Sequence, residues 1–268
     1  MTITARRMTR MSSDLSRDVP VEVPVDLDPR RSAAVICDMW DRHWCRAAAR
    51  RVAEMAPVAN RLVTELRNRG VFIVHAPSDT LDRYRDHPAR ERALVEAAPH
   101  SGGACTSGLN DDGAWMRHDP ACEAVMPIDD ADGGCACSPR CAESEPWTSQ
   151  IADIVILPDD VIADSAEVFR VYESRGIDTV IVLGVHTNMC VLGRPFGIRA
   201  SVRRGYRTFL VRDLTDSMYN PARRPWVDHF TGTDLVVRHI ETYWCPTFTS
   251  DQVLGGSEFR FAEDPRGR

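Results

Sequence analysis

The chain has 268 residues, 43% of them hydrophobic, which is enough material for the core of one large α/β domain or two small ones. A formal net charge of −6 gives no electrostatic basis for binding nucleic acid or an anionic membrane, and no apolar run reaches bilayer-spanning length. All 33 basic residues are arginine, so no lysine can serve as base, Schiff-base former or charge partner.

The N-terminus carries Arg6, Arg7 and Arg10 without an apolar stretch behind them, so no signal peptide is expected and a cytoplasmic location is. Nine cysteines in such a chain point to thiols, ligands or a nucleophile before a disulfide framework. Residues 1–30 are polar, with alternating Val and Pro between Val19 and Val25, and predict an extended arm suited to packing on a partner subunit. Ser32 to Met39 predicts a buried strand with Asp38 at its end. Val52, Met55, Ala59, Leu62, Val63 and Leu66 recur at helical spacing, and Gly70 supplies the stop. Val71 to Val74 predicts a second strand, followed by His75 and Asp79.

From about 98 to 147 the pattern dissolves into Gly, Ser, Asp, Pro and Cys, which predicts an insertion over the functional face. Ile151 to Leu157 predicts a third strand, and Ala163 to Arg175 a helix closed by Gly176. Thr179 to Leu183 is an apolar, β-branched fourth strand that Gly184 breaks. After His186, Thr187 and Asn188, Cys190 opens an apolar-periodic stretch through Val191, Leu192, Phe196, Ile198 and Val202. Arg207 to Val211 predicts a fifth strand, Asp234 to Tyr243 a helix, and the region of Thr247 a short sixth strand. The charged tail, residues 257–268, is expected to be flexible.

Strands alternating with helices imply an α/β fold, a three-layer sandwich with a mainly parallel six-stranded sheet and helices on both faces. Residues 31–256 would form this domain. Ligands of such sheets bind at the carboxyl ends of strands, where Asp38, His75, Cys190 and Asp213 are all expected. A thiol at a helix N-terminus has its thiolate favoured by the macrodipole and by unpaired N–H groups, and the same amides can stabilise an oxyanion.

Two motifs, Ile36-Cys-Asp-Met39 and Gly184-Val-His-Thr-Asn-Met-Cys-Val191, resemble those of the isochorismatase-like cysteine hydrolases, which include nicotinamidases, N-carbamoylsarcosine amidases and isochorismatases. The resemblance runs from about Ser32 to Ser250, with residues 98–147 unmatched. It implies Cys190 as nucleophile, Asp38 as the acid/base that relays the thiol proton, and a non-proline cis peptide at Val185–His186. That peptide would bring the His186 N–H beside the Cys190 N–H as an oxyanion hole. It also implies a homodimer or homotetramer. The family places a lysine between thiol and carboxylate, near Leu157 to Asp160, and this chain has none there or elsewhere. Arg194, His75, His43 and the arginines of the insertion are the candidates for the missing cation.

Trp40, Asp41, His43, His75, Arg194 and Asn188 are the candidate substrate-binding residues, Arg194 because a guanidinium can grip a carboxylate through two hydrogen bonds. Asp41, His43 and His75 could alternatively hold a metal, as Asp and His do in nicotinamidases. Cys135, Cys137 and Cys141 cluster in the insertion and could bind zinc with Cys122 or His118 as fourth ligand. Incidental thiols are the default, and no cofactor is expected. The expected function is hydrolysis of a C–N bond in a small amide, imide, carbamoyl or ureido compound through a covalent Cys190 intermediate. The alternatives are vinyl-ether hydrolysis of the isochorismatase type, or a non-catalytic binding or assembly protein that lost its triad with the lysine.

Overall fold

The computed structural model describes residues 1–10, 18–98 and 114–267, so the first part of the predicted insertion, with Cys105, lies outside the described residues. The sheet has eight strands in the order β2-β1-β8-β7-β6-β3-β4-β5, two more than predicted. Its centre is β3 (Ser32–Cys37) and β6 (Thr179–Val185), in parallel register from Ser32↔Thr179 to Cys37↔Gly184. Every residue of both strands is buried, as their unbroken apolar runs require of strands covered on both faces. β4 (Phe72–Ala76) extends the parallel sheet beyond β3, and β7 (Arg207–Asp216) beyond β6.

Period-two alternation sorts the strand residues onto two faces. Ala34, Ile36, Ile73, Ile181 and Leu183 pack beneath α1 (Arg46–Asn68). Val35, Val74, Val180 and Val182 pack against α3 (Glu167–Arg175) and α6 (His229–Tyr243). In that layer α2 (Pro88–Glu96) packs beside α3.

Four sequence expectations change. The apolar run from Ile151 to Leu157 is not a strand: the Ile154 N–H turns back to the Ile151 carbonyl at 3.2 Å, and Pro158 cannot continue a ladder. The strand beside β4 is the two-residue β5 (Val161–Ile162). The predicted arm is a β-hairpin of β1 (Thr2–Arg10) and β2 (Asp18–Asp26), joined antiparallel to its own sheet where Arg6 meets Thr247 of β8 (Thr247–Phe248). Pro20 and Pro24 are tolerated because β2 is an edge strand with no neighbour needing their N–H groups.

The helix after Cys190 is also shorter than predicted, splitting into α4 (Cys190–Gly193) and α5 (Ile198–Arg203). The charged tail, finally, is docked. Phe259 donates its N–H to Asp213 at 3.0 Å, Phe259 and Phe261 pack at 4.9 Å, and Asp264 is buried. A short helix, α7 (Asp251–Leu254), links β8 to that tail.

Candidate active site

The carboxyl ends of β3 and β6 approach more closely than side chains would allow. A Cβ on Gly184 would lie 2.1 Å from the Cys37 carbonyl oxygen, and its φ of +111° suits only glycine. One residue beyond β3, Asp38 adopts φ +48°, a left-handed conformation that short polar side chains tolerate best. Its N–H donates to the Ala76 carbonyl at 3.0 Å, tying it to the end of β4. The Asp38 carboxylate is fully buried. Oδ1 accepts the Ser78 N–H at 2.8 Å and Oδ2 accepts Arg194 Nε at 3.2 Å. The Cys190 thiol lies close enough to interact with this carboxylate.

Cys190 follows the turn closed by Met189 and Val191, whose N–H groups both donate to the His186 carbonyl, at 2.9 and 3.1 Å. The Val185–His186 peptide is cis, and the His186 N–H points at the Cys190 sulfur. Among the described residues no acceptor takes the Cys190 N–H. Two backbone donors therefore converge beside the sulfur.

Pro195 determines where Arg194 goes. A residue before proline is pushed out of the helical region, and Arg194 has φ −59° and ψ 154°, ending α4 after one turn. The guanidinium leaves the helix and reaches Asp38, then Asp79 at 2.7 Å, with its carbon 4.8 Å above the Trp115 ring. A single turn carries little dipole, so α4 adds little to the stabilisation of a Cys190 thiolate.

The charges balance as a triad. Burial raises the Asp38 pKa, while the Arg194 cation, the Cys190 thiol and Ser78 oppose that rise. Burial and the Asp38 charge push the Cys190 thiol well up, against Arg194 and the His186 N–H. Burial penalises the Arg194 cation, but Asp38 and Cys190 outweigh it and raise its pKa. Burial thus favours the protonated thiol, while the Arg194 cation opposes protonation of the adjacent Asp38 carboxylate.

The other predicted site residues divide. Trp40 donates to the Ser78 carbonyl at 3.0 Å and stacks on Trp147 at 4.6 Å. His43 stacks on Trp147 at 5.8 Å and meets the His186 ring edge-on at 4.9 Å. These rings form one aromatic wall. Burial lowers the pKa of His43 to about 4 and of His186 to about 3, so both rings are neutral at physiological pH. Asp41 instead accepts the Thr148 and Ser149 N–H groups, tying down the end of the insertion. Asn188 clamps Asp130 and both polar backbone atoms of Met218.

His75 and Asp213 are not at the site. His75 faces the α1 layer, where its ring meets Gln150 at 3.0 Å and Asp160 at 3.1 Å. The second strand runs on through it, and alternation turns its side chain away from Asp38. Asp213 lies inside β7, which a register shift carries five residues past the apolar run, and it binds Ser250 and Phe259. Asp41, His43 and His75 do not converge as a metal set. Sequence reasoning missed Ser78, Trp115 and Trp147, and noted Asp79 only by its place after the second strand, not as the partner of Arg194. The two tryptophans were the visible signal, since large aromatics in a polar, Gly-rich segment need a surface to cover. A separate cleft of about 150 Å3, bounded by Arg6, Arg212, Phe259 and Arg266 among others, contains neither Cys190, Asp38 nor Arg194.

No protein-family model and no curated protein matches the sequence. Among solved structures, a cysteine hydrolase from Pseudomonas syringae pv. phaseolicola aligns with TM-score 0.50 and 17% identity over 85% of this chain and 92% of that one. An isochorismatase from Pseudomonas putida aligns at 0.49 and 12% over 84% and 91%, and an isochorismatase family protein from Desulfovibrio vulgaris at 0.44 and 17% over 79% and 90%. The chain has the fold of the isochorismatase-like cysteine hydrolases.

Proposed function

We propose that the protein is a hydrolase that cleaves a C–N bond in a small amide, imide, carbamoyl or ureido compound, with Cys190 as nucleophile. One observation carries the reading: the Cys190 thiol lies beside a buried Asp38 carboxylate that Arg194 also holds, at 3.2 Å. As the sulfur–carbon bond forms, the thiol proton passes to Asp38, and the carbonyl electron pair moves onto oxygen, facing the His186 and Cys190 N–H groups. The tetrahedral intermediate then expels nitrogen, which takes the proton back from Asp38 and leaves a thioester. Water attacks the thioester, gives its proton to Asp38, and restores the thiol with release of the acid. Arg194 stays charged throughout, because a guanidinium does not release its proton, so Asp38 alone carries protons.

The presence of a cation at Asp38 weighs against a protein that lost its triad. Vinyl-ether hydrolysis would need Asp38 but not a covalent cysteine. A panel of small amides, imides and ureido compounds, followed by release of ammonia or amine, tests the reading. Cys190→Ala should abolish turnover, and Asp38→Asn should lower kcat by about 10²–10⁴. Full activity in Cys190→Ala would refute the covalent route, and with Asp38 still required it would favour the vinyl-ether reaction.

A further inference from the structure

We propose that Cys45, Cys135, Cys137 and Cys141 form a tetrathiolate site for one structural zinc ion, which fastens the insertion to the start of α1. The proposal does not depend on the hydrolase reading. It also replaces the ligand set anticipated from sequence, because Cys122 lies elsewhere, against Asp119 and Arg203.

Three of the sulfurs, from Cys45, Cys135 and Cys137, lie within 4.8 Å of one another, and the Cys45 and Cys137 sulfurs are 3.9 Å apart. A tetrahedral ion with zinc–sulfur bonds of about 2.3 Å needs sulfurs about 3.8 Å apart. A disulfide needs about 2.05 Å. The fourth thiol, Cys141, neighbours Cys135 and Cys137 on the same loop, and its sulfur, outside the 4.8 Å group of the other three, would close in on the ion to complete the set. Two local features bring the set together. Gly134 has φ +69°, and a Cβ there would lie 2.3 Å from the Met218 backbone, so glycine alone lets the loop pass this close before delivering Cys135. The C-x-C-x3-C run then folds back so that the backbone at Cys137 and Cys141 lies beside the Cys135 thiol.

The helix beneath is built to receive negative charge. α1 is 23 residues long and its N-cap is Cys45, which makes no side-chain cap hydrogen bond. Instead the Ala47 N–H donates to the Cys137 sulfur at 3.4 Å, and the Arg46 backbone lies beside Cys141. A first-turn amide of a long helix, normally capped by oxygen, is thus spent on sulfur. The Arg46 charge beside Cys141 adds to the same field. Four thiols give up their protons on binding, and the resulting double negative charge faces a helix N-terminus. The cluster also reaches the candidate active site, because the Cys45 N–H donates to His43 Nδ1 at 3.1 Å and Met218 packs beside Cys135.

The test uses the full-length protein purified without chelator. Metal analysis should find one zinc per chain. Exchange for cobalt should give the intense visible bands and near-ultraviolet charge transfer of a tetrahedral thiolate complex. Cys137→Ser should lose the metal and expose the insertion to limited proteolysis, whereas Cys122→Ser should keep it. If Cys137→Ser is insoluble, the wild-type metal content and cobalt spectrum decide alone. Wild-type protein that holds no zinc and takes up neither added zinc nor cobalt would overturn the proposal. So would a disulfide between any two of the four cysteines in freshly isolated protein, stoichiometric iron in place of zinc, or loss of the metal in Cys122→Ser.

Discussion

Asp38 has to be ionised to accept a proton, yet it is fully buried, where ionisation is costly. Arg194 and the Ser78 N–H counter that cost, and their contribution is testable through pH. Arg194 lowers the Asp38 pKa, so Arg194→Ala should move the acid limb of kcat/KM upward by about one pH unit or more. Arg194→Lys should keep the limb near its wild-type position, because it restores the charge, while losing the second contact to Asp79. A pH–rate series on the two variants checks both. Cys190, Asp38 and His186 were legible from two short motifs. Arg194 was legible only as one cation among several, because its reach depends on how Pro195 turns the backbone. His75 was misread because the length of a strand decides which face its last residue takes.

At the scale of elements, Pro195 is the device that ends α4 and frees Arg194. Pro195→Ala should let the helix continue and withdraw the guanidinium. Its acid limb should shift in the same direction as that of Arg194→Ala, and the double variant should cost little beyond Arg194→Ala alone, as expected of residues acting as one unit. At the far edge, the hairpin is held by Arg6 on the fully buried Glu241, at 2.7 Å. Arg6→Ala leaves Thr247 as a remaining donor to that carboxylate and should cost about 1–3 kcal/mol in urea unfolding. The central strands and α1 were legible because their apolar periodicity is long and unbroken. β5 was not, since two residues carry no period, and the hairpin was not, since its prolines mimic an extended arm.

For the whole molecule, neutral buried histidines set an acid limit. His43 and His186 have folded pKa values of about 4 and about 3, against 6.5 for an unperturbed ring. Below pH 6.5 the unfolded chain takes up protons that the folded chain refuses, so stability falls as pH drops from 6.5 toward 4, each ring contributing up to about 1.4 kcal/mol per pH unit. Urea midpoints across that window should show a shallower slope for His43→Phe, which keeps the stacking and removes one titration. The insertion binds this site to the rest of the protein: Trp115 covers Arg194, Asp130 holds Asn188, and Trp147 completes the aromatic wall. Only the two tryptophans hinted at this in the irregular sequence; which groups they and Asp130 meet was not readable, because loop contacts have no period to betray them. The most direct test of the account is acylation by p-nitrophenyl acetate, with acid quench, intact-mass measurement and peptide mapping. The account predicts one acetyl group on Cys190, formed far more slowly in Asp38→Asn. Acetyl spread over exposed thiols such as Cys122, with Cys190 unmodified, would contradict it.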